Sequence, residues 1–300
     1  MFEPCYLALS RTGELEQRAA ELECILNDCT LCPHECHVNR AIGETGTCNS
    51  PAELIVSSVF PHFGEEPPLV GTRGSGTIFL TYCNTQCVFC QNYTISHLGE
   101  GGAISEAELA EAMLNLQNLG CHNINFVTPT HYVPQLIRAL SIAAERGLSI
   151  PLVYNTSGYD SVETLKILDG VIDIYMPDTK FAENKTGDTY TRAADYPERM
   201  FSALQEMHRQ VGDLHINSSG IAEQGMLIRH LVMPNNLAGT SAIMEFISEK
   251  LSRDSYVNIM AQYRPCYRAG EYPELLKPVT RSDMSTAYSV AKKVGLHRGF

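Results

Sequence analysis

The chain is expected to be an α/β protein: an open, partial (β/α)6 barrel carrying a small cysteine-rich N-terminal extension. Three observations predict this. From Thr77 onward, six short runs that are apolar on both faces and rich in β-branched residues alternate with segments of helical periodicity, as in a parallel sheet covered by helices. Six such units are too few for the closed eight-stranded barrel. Before them, the stretch Cys29 to Cys48 combines four cysteines with little apolar content. The expected division is a cap over residues 1–70 and a barrel over residues 71–300.

Bulk properties narrow the function classes. The 300 residues are 44% hydrophobic and 19% charged, enough to bury the core of one large domain plus an appendage. A formal net charge of −12 disfavours a nucleic-acid partner, which is usually met by a basic excess. Met1-Phe2-Glu3-Pro4 lacks the basic start of a secretion signal, and Tyr6 to Leu9 is too short for its apolar region. No apolar run approaches the ~18 residues of a membrane span. The eleven cysteines are therefore expected in a cytoplasmic protein, as metal ligands more than as disulfides.

In chain order, Glu14 to Asn27 reads as a helix with Leu15, Ala19, Leu22 and Ile25-Leu26 on one stripe. Cys29, Cys32, Cys36 and Cys48 follow with C-x2-C-x3-C-x11-C spacing, shaped by Pro33, Gly43 and Gly46. Four sulfurs suit zinc or a second iron–sulfur cluster, and free thiols in a loop are the plainer alternative. His34 and His37 could substitute as ligands, although solvated side chains explain them as well. Leu54-Ile55-Val56 is a short strand candidate within an irregular connection, and Gly71 to Gly76 reads as a flexible lead-in to the barrel.

The six expected strands are Thr77–Thr81, Asn123–Val127, Pro151–Tyr154, Val171–Met176, Met226–Val232 and Tyr256–Met260. Helices fall between them: Ser105 to Glu108 forms a capping box, Pro134 opens the next helix, and Ser161–Leu168, Pro197–Val211, Ser241–Leu251 and Thr280–Val294 follow. Catalytic groups in such folds sit on loops at the carboxyl ends of the strands. Those loops are the Cys83–Cys90 segment, Thr128-Pro129-Thr130-His131, Asn155-Thr156-Ser157-Gly158-Tyr159, Pro177-Asp178-Thr179-Lys180, Met233-Pro234-Asn235-Asn236 and Gln262-Tyr263-Arg264-Pro265.

Cys83, Cys87 and Cys90 form a C-x3-C-x2-C run directly after the first strand. Three thiolates so close in sequence can reach three irons of one cubane cluster and leave the fourth iron open for chemistry. A structural zinc site would want four ligands, usually in two spaced pairs. Unrelated buried cysteines are the remaining alternative.

This motif, with Phe89 before its third cysteine, resembles the signature of the radical S-adenosylmethionine (SAM) superfamily. Cys83 to Asn92, Thr128-Pro129-Thr130-His131, Asn258 to Pro265 and the N-terminal Cys-Pro-His-Glu-Cys and Gly-Glu-Thr-Gly-Thr-Cys pieces look like a branch related to pyruvate formate-lyase activating enzymes. The resemblance implies a TIM-like radical SAM barrel in which Cys83, Cys87 and Cys90 hold a [4Fe–4S] cluster, whose open iron SAM chelates. It implies that Phe89 lies along the adenine, that Asn155, Thr156 and Ser157 meet the ribose and carboxylate, and that Lys180 meets a carboxylate with Asp178 orienting it. Asn155 stands where aspartate is usual. The loop after strand two is usually Gly-Gly-Glu, but here it is Thr-Pro-Thr, so the Thr128 and Thr130 hydroxyls, or backbone carbonyls, would have to replace its contacts to the methionine amino group. Gln262 is a further cofactor-side candidate, and His131, Tyr263 and Arg264 are substrate-side candidates. His230, within a strand pattern, reads equally well as a satisfied core histidine.

The implied activity is reductive cleavage of SAM, with flavodoxin or ferredoxin as electron donor, docked through basic residues such as Arg73, Arg229 and Arg264. The 5′-deoxyadenosyl radical then abstracts hydrogen from a substrate. The expected substrate is a glycyl-radical enzyme that the chain activates; alternatives are a small molecule or peptide modified with the help of an N-terminal cluster, or a non-catalytic iron–sulfur redox role.

Overall fold

The computed structural model describes residues 2–300. Its strands are β1 (Ile55–His62), β2 (Ser75–Leu80), β3 (Gly102–Ala103), β4 (Ile124–Val127), β5 (Leu152–Thr156), β6 (Ile174–Thr179), β7 (His215–Ile216), β8 (Ala222–Leu231) and β9 (Tyr256–Met260). Among the described residues they form one sheet in the order β3-β1-β2-β4-β5-β6-β8, with β7 and β9 both paired to β8. The six expected strands are β2, β4, β5, β6, β8 and β9, and each pairs parallel to its neighbour. Successive strands pair through helical crossovers, the arrangement expected for a parallel sheet.

Two additions lie at the edge beyond β2. β1 runs antiparallel to β2, and β3 pairs only with Ile55 and Val56 of β1. Residues 55–62, on the N-terminal side of residue 70, thus belong to the barrel's own sheet. The sequence pattern showed only the start of this strand because Pro61 interrupts it. Proline is tolerated there because β1 has no partner on its outer side beyond Val56. The glycine-rich lead-in is folded, with Gly74 N–H donating to Val70 O at 2.8 Å. A side chain at Gly76 would stand 2.7 Å from Asn123 O, so only glycine lets the two backbones meet.

The sheet does not close into a ring. Between β9 and the far edge the links are side chains: Asn258 Nδ2 donates to Glu66 Oε1 at 2.9 Å, and Gln91 Nε2 to Gln262 O at 3.1 Å. Inward-facing Val153, Ile174, Met176 and Leu227 pack against Leu69 of the short helix Pro67–Val70 and form an inner core. The outer faces pack on helices that follow the expected pattern. Glu106–Asn118 carries the complete Ser105/Glu108 capping box, Val133–Glu145 has proline in its first turn, and Tyr196–Val211 and Arg281–Lys293 follow. The N-terminal helices Tyr6–Thr12 and Glu14–Ile25 meet at Gly13. The second is held to the barrel by Arg138, whose Nε donates to Glu23 Oε1 at 2.7 Å. No helix of the described residues is long and apolar enough to cross a membrane.

Candidate cluster and cofactor site

Alternate residues of a strand face the barrel interior, so the inner core continues upward into a second layer of side chains. Asn155 stands two residues beyond Val153, Asp178 two beyond Met176, and Arg229 two beyond Leu227. Together with Cys87, Phe89, Cys90, Lys180 and Gln262 they line a cavity of ≈ 390 Å³. A larger cleft of ≈ 480 Å³ lies elsewhere, along Ser161–Glu163 and Arg199–Arg209, and contains neither a cysteine nor a strand end.

The cysteine loop leaves β2 through backbone conformations unusual for large residues, with φ of 65° at Tyr82 and 45° at Gln86. These bends fold the loop back on itself. Thr85 Oγ1 lies 3.2 Å from Cys83 Sγ and 3.6 Å from Cys87 Sγ, while Cys90 Sγ lies 3.1 Å from Ser96 Oγ. Asn84 is fully buried and ties the loop to the barrel by donating to Tyr159 O at 2.7 Å. The Cys87 thiol is pushed up to about 12, chiefly by burial, with Lys180 opposing the rise and Cys83 and Cys90 adding to it. Metal coordination is what makes such a thiol a thiolate at neutral pH. Among the described residues no three His, Cys, Asp or Glu side chains close on a single-ion position, so the loop is not a ready-made mononuclear zinc site. Its donor set, three cysteine sulfurs in one loop, suits a cluster with one open iron.

Opposite the cysteines lies a group of paired charges. Asp178 accepts from Lys180 Nζ at 2.5 Å and from Arg229 Nε at 2.8 Å, and Arg229 Nη2 donates to Asn155 Oδ1 at 2.7 Å. Burial alone would raise the Asp178 pKa, but Arg229 and Lys180 outweigh it and hold the carboxyl below its ordinary range. Glu65 completes the group, 3.7 Å from Arg229 Nη1 and 3.0 Å from His62 Nδ1. Arg229 is therefore an interior residue, not a docking residue for an electron carrier.

Other expected residues face elsewhere. Thr130 Oγ1 and Thr156 Oγ1 donate to the two oxygens of Asp160, at 2.7 and 2.6 Å, and Tyr154 OH adds a third bond at 3.0 Å. Asp160 is buried, which raises its pKa, while these hydroxyls oppose the shift. Both threonine hydroxyls are thus used inside the scaffold. Ser157 is buried against Asn84. His131 is 1% exposed, with Nε2 2.8 Å from Thr81 O, and burial lowers its pKa to about 3. Tyr263 presents its ring to Phe89 but donates its hydroxyl to Leu275 O at 2.7 Å. Arg264 is exposed and outside the cavity lining. His230 is a satisfied core residue, held by Thr179 O at 3.0 Å and Thr240 Oγ1 at 2.9 Å. Thr128 takes φ 59° and donates its N–H to Asn155 O at 2.8 Å.

Glu65 and His62 were missed by sequence reasoning. They reach the cavity from the end of the edge strand, and nothing in local periodicity marks that placement. Arg229 did carry a signal: a charge at an inward position of an otherwise apolar strand, between Leu227 and Leu231, needs a partner inside the barrel.

Residues 77–222 match the radical SAM superfamily. An uncharacterised protein of Methanocaldococcus jannaschii is 35% identical over 282 residues, covering 91% of this chain and 76% of the relative. Among solved structures, HydG, a maturase of the [FeFe]-hydrogenase, aligns over 74% of this chain with a TM-score of 0.49 and 16% identity. The chain spans half of that maturase's length. With the superfamily match over residues 77–222 and a relative alignable along nearly the whole chain, this protein belongs to the radical SAM superfamily.

Proposed function

We propose that Cys83, Cys87 and Cys90 hold the [4Fe–4S] cluster and that SAM occupies the adjoining cavity. The observation that carries this reading is the convergence of Cys87, Phe89, Cys90, Asn155, Asp178, Lys180 and Gln262 on one cavity at the carboxyl ends of the parallel strands. When bound, the cluster supplies the electron that splits the sulfonium and yields methionine and a 5′-deoxyadenosyl radical. The chain's own residues bind and orient. Phe89, braced edge-on by Phe181 and Tyr263, offers an aromatic face for the adenine. Lys180 offers an ammonium to the SAM carboxylate, and Asp178 holds that ammonium in place. Asn155, fixed by Arg229, presents a polar edge for the ribose.

The substrate reading that the cavity favours is a segment of a partner protein, as in the activation of a glycyl-radical enzyme. A volume of ≈ 390 Å³ is near the lower end for a pocket holding one drug-sized ligand. SAM would occupy most of it, so the hydrogen donor has to come in through the mouth beside Gln91, Asn92 and Gln262, all exposed. Flavodoxin or ferredoxin is the proposed electron donor. A second reading, modification of a small molecule or peptide, draws support from the N-terminal cysteines packed behind the cluster loop.

Anaerobic reconstitution with iron and sulfide, followed by dithionite and SAM, tests the first step. The expected results are a [4Fe–4S] EPR signal that SAM perturbs and release of 5′-deoxyadenosine, both lost in Cys83→Ala, Cys87→Ala and Cys90→Ala variants. Continued 5′-deoxyadenosine formation by those variants would overturn the ligand assignment. For the substrate, capture of a partner that acquires a glycyl-radical EPR doublet is the expected outcome, and turnover of a small molecule without any protein radical would overturn it.

A further inference from the structure

We propose that Cys29, Cys32, Cys36 and Cys48 hold a second metal centre, and that this centre braces the loop carrying the first three cysteines. The four lie on a compact turn. Cys29 N–H donates to Val38 O at 3.0 Å and His37 N–H returns to Cys29 O at 3.1 Å, so the chain doubles back on itself. Glu35 and His37 take φ of 41° and 52°, a left-handed backbone that large side chains seldom adopt. These two bends bracket Cys36.

Cys36 sits in a built pocket. Thr47 N–H donates to Cys36 Sγ at 3.4 Å, and a side chain at Gly46 would stand 2.6 Å from the same sulfur. Cys29, Cys32 and Cys48 are buried, and all four are free thiols. Glu35 N–H donates to Cys32 O and Asn49 N–H to Gly46 O, each at 3.0 Å, so tight turns hold Cys32 next to Cys36 and Cys48 next to Gly46. Buried, unpaired thiols gathered this closely gain little from packing, whereas thiolates around a metal gain the energy of coordination. Neither histidine competes for the role, since His34 bonds Asn84 O at 2.8 Å and His37 faces Asp28 at 2.9 Å. The four sulfurs, like Cys83, Cys87 and Cys90, do not converge on one ion position as they stand. Zinc would draw them together, whereas a cluster accepts a wider set.

The turn is fixed to the barrel at two places. Arg40, 1% exposed, donates from Nη1 to His131 O at 2.7 Å and from Nη2 to Ser50 Oγ at 3.0 Å. On the other side, His34 holds Asn84 O and Gln86 Nε2 donates to Thr47 O, each at 2.8 Å. Asn84 and Gln86 flank Thr85, the residue whose hydroxyl lies between Cys83 and Cys87. Order in the four-cysteine turn is thereby passed to the cluster loop.

Metal analysis of the full chain carrying Cys83→Ser, Cys87→Ser and Cys90→Ser together isolates the second site. Retention of about four irons with sulfide, or of about one zinc, supports the centre and identifies its metal, and a folded protein with neither overturns it. The unsubstituted chain gives the same answer by difference if the triple variant does not fold: about eight irons, or about four with one zinc, against about four irons alone. For the bracing role, Cys32→Ser with Cys48→Ser is expected to speed amide hydrogen exchange across residues 84–88 at least tenfold, and unchanged exchange there overturns it. None of these readouts depends on SAM cleavage, so failure here and failure of the proposed activity remain distinguishable.

Discussion

Asn155 and Thr156 are neighbours at the carboxyl end of β5, yet they belong to different halves of the barrel rim. Asn155 faces inward and accepts from Arg229, which in turn holds Asp178. Thr156 faces outward and donates to Asp160, as do Thr130 and Tyr154. The first half keeps its charges beside a cavity, where a ligand can exchange with them. The second half satisfies its polar groups internally and has none left to offer. Hydroxyls bonded to a buried carboxylate position a loop; charges held next to open space are available for binding.

Removing the carboxylate from each half should separate these roles. Asp178→Ala leaves Lys180 and Arg229 without their shared partner, a loss of about 3–5 kcal/mol for a largely buried charge group. Chemical denaturation of the cluster-free chain measures it. In protein that remains folded, 5′-deoxyadenosine formation is expected to fall at least tenfold, with the KM for SAM raised. If KM and rate per folded molecule are unchanged, the cavity half is scaffold after all and the distinction fails.

Asp160→Ala is the matching cut on the other side. It strands three hydroxyls and is expected to cost about 3 kcal/mol, since each buried unsatisfied group costs about 1–3 kcal/mol and some will find new partners. The KM for SAM in the folded fraction should not move. A tenfold rise in KM at intact stability would mean that Thr130 and Thr156 serve the ligand.

These contrasts also mark what the sequence could reveal. The six parallel strands were legible because each is a short, largely apolar run rich in β-branched residues between helical segments, and the cysteine loop because three soft ligands in one short segment have few uses. Which way Thr156, Ser157 or His131 points was not legible. A one-residue step along a strand reverses the face, and the expected third strand stopped at Tyr154 whereas β5 continues to Thr156. Glu65 depends on an edge strand whose pairing is long-range, so local pattern carries no trace of it.

His131 gives a smaller, pH-dependent contrast. Its folded pKa of about 3 lies below the ordinary value near 6.5, because burial disfavours the imidazolium. Below pH 6.5 the unfolded chain therefore binds the proton that the folded chain refuses. Stability from this residue is complete above that pH and is lost as pH falls toward 3, by about 2 kcal/mol between pH 7 and pH 5. Urea midpoints across this range should show a shallower acid decline in His131→Gln than in the unsubstituted chain. Equal slopes would place the acid sensitivity elsewhere, with His230, held near 4 by burial, the next group to test.

Thr128 sits on the boundary between the halves and yields the smallest effect. Its φ of 59° is an outlier for a β-branched residue, costing about 1–2 kcal/mol relative to a right-handed or extended backbone. The cost is borne because its N–H must reach Asn155 O, which links the loop after β4 to the strand that carries Asn155. Glycine adopts this conformation freely, although it also loosens the unfolded chain by about 0.4–1 kcal/mol. Thr128→Gly is therefore expected to stabilise the fold by up to about 1 kcal/mol while keeping the backbone bond. If the KM for SAM stays constant, the threonine is strained scaffold and belongs with Thr130. If stability rises but SAM binds more weakly, its hydroxyl serves the ligand, and the strain is the cost of aiming it across the boundary into the cavity half.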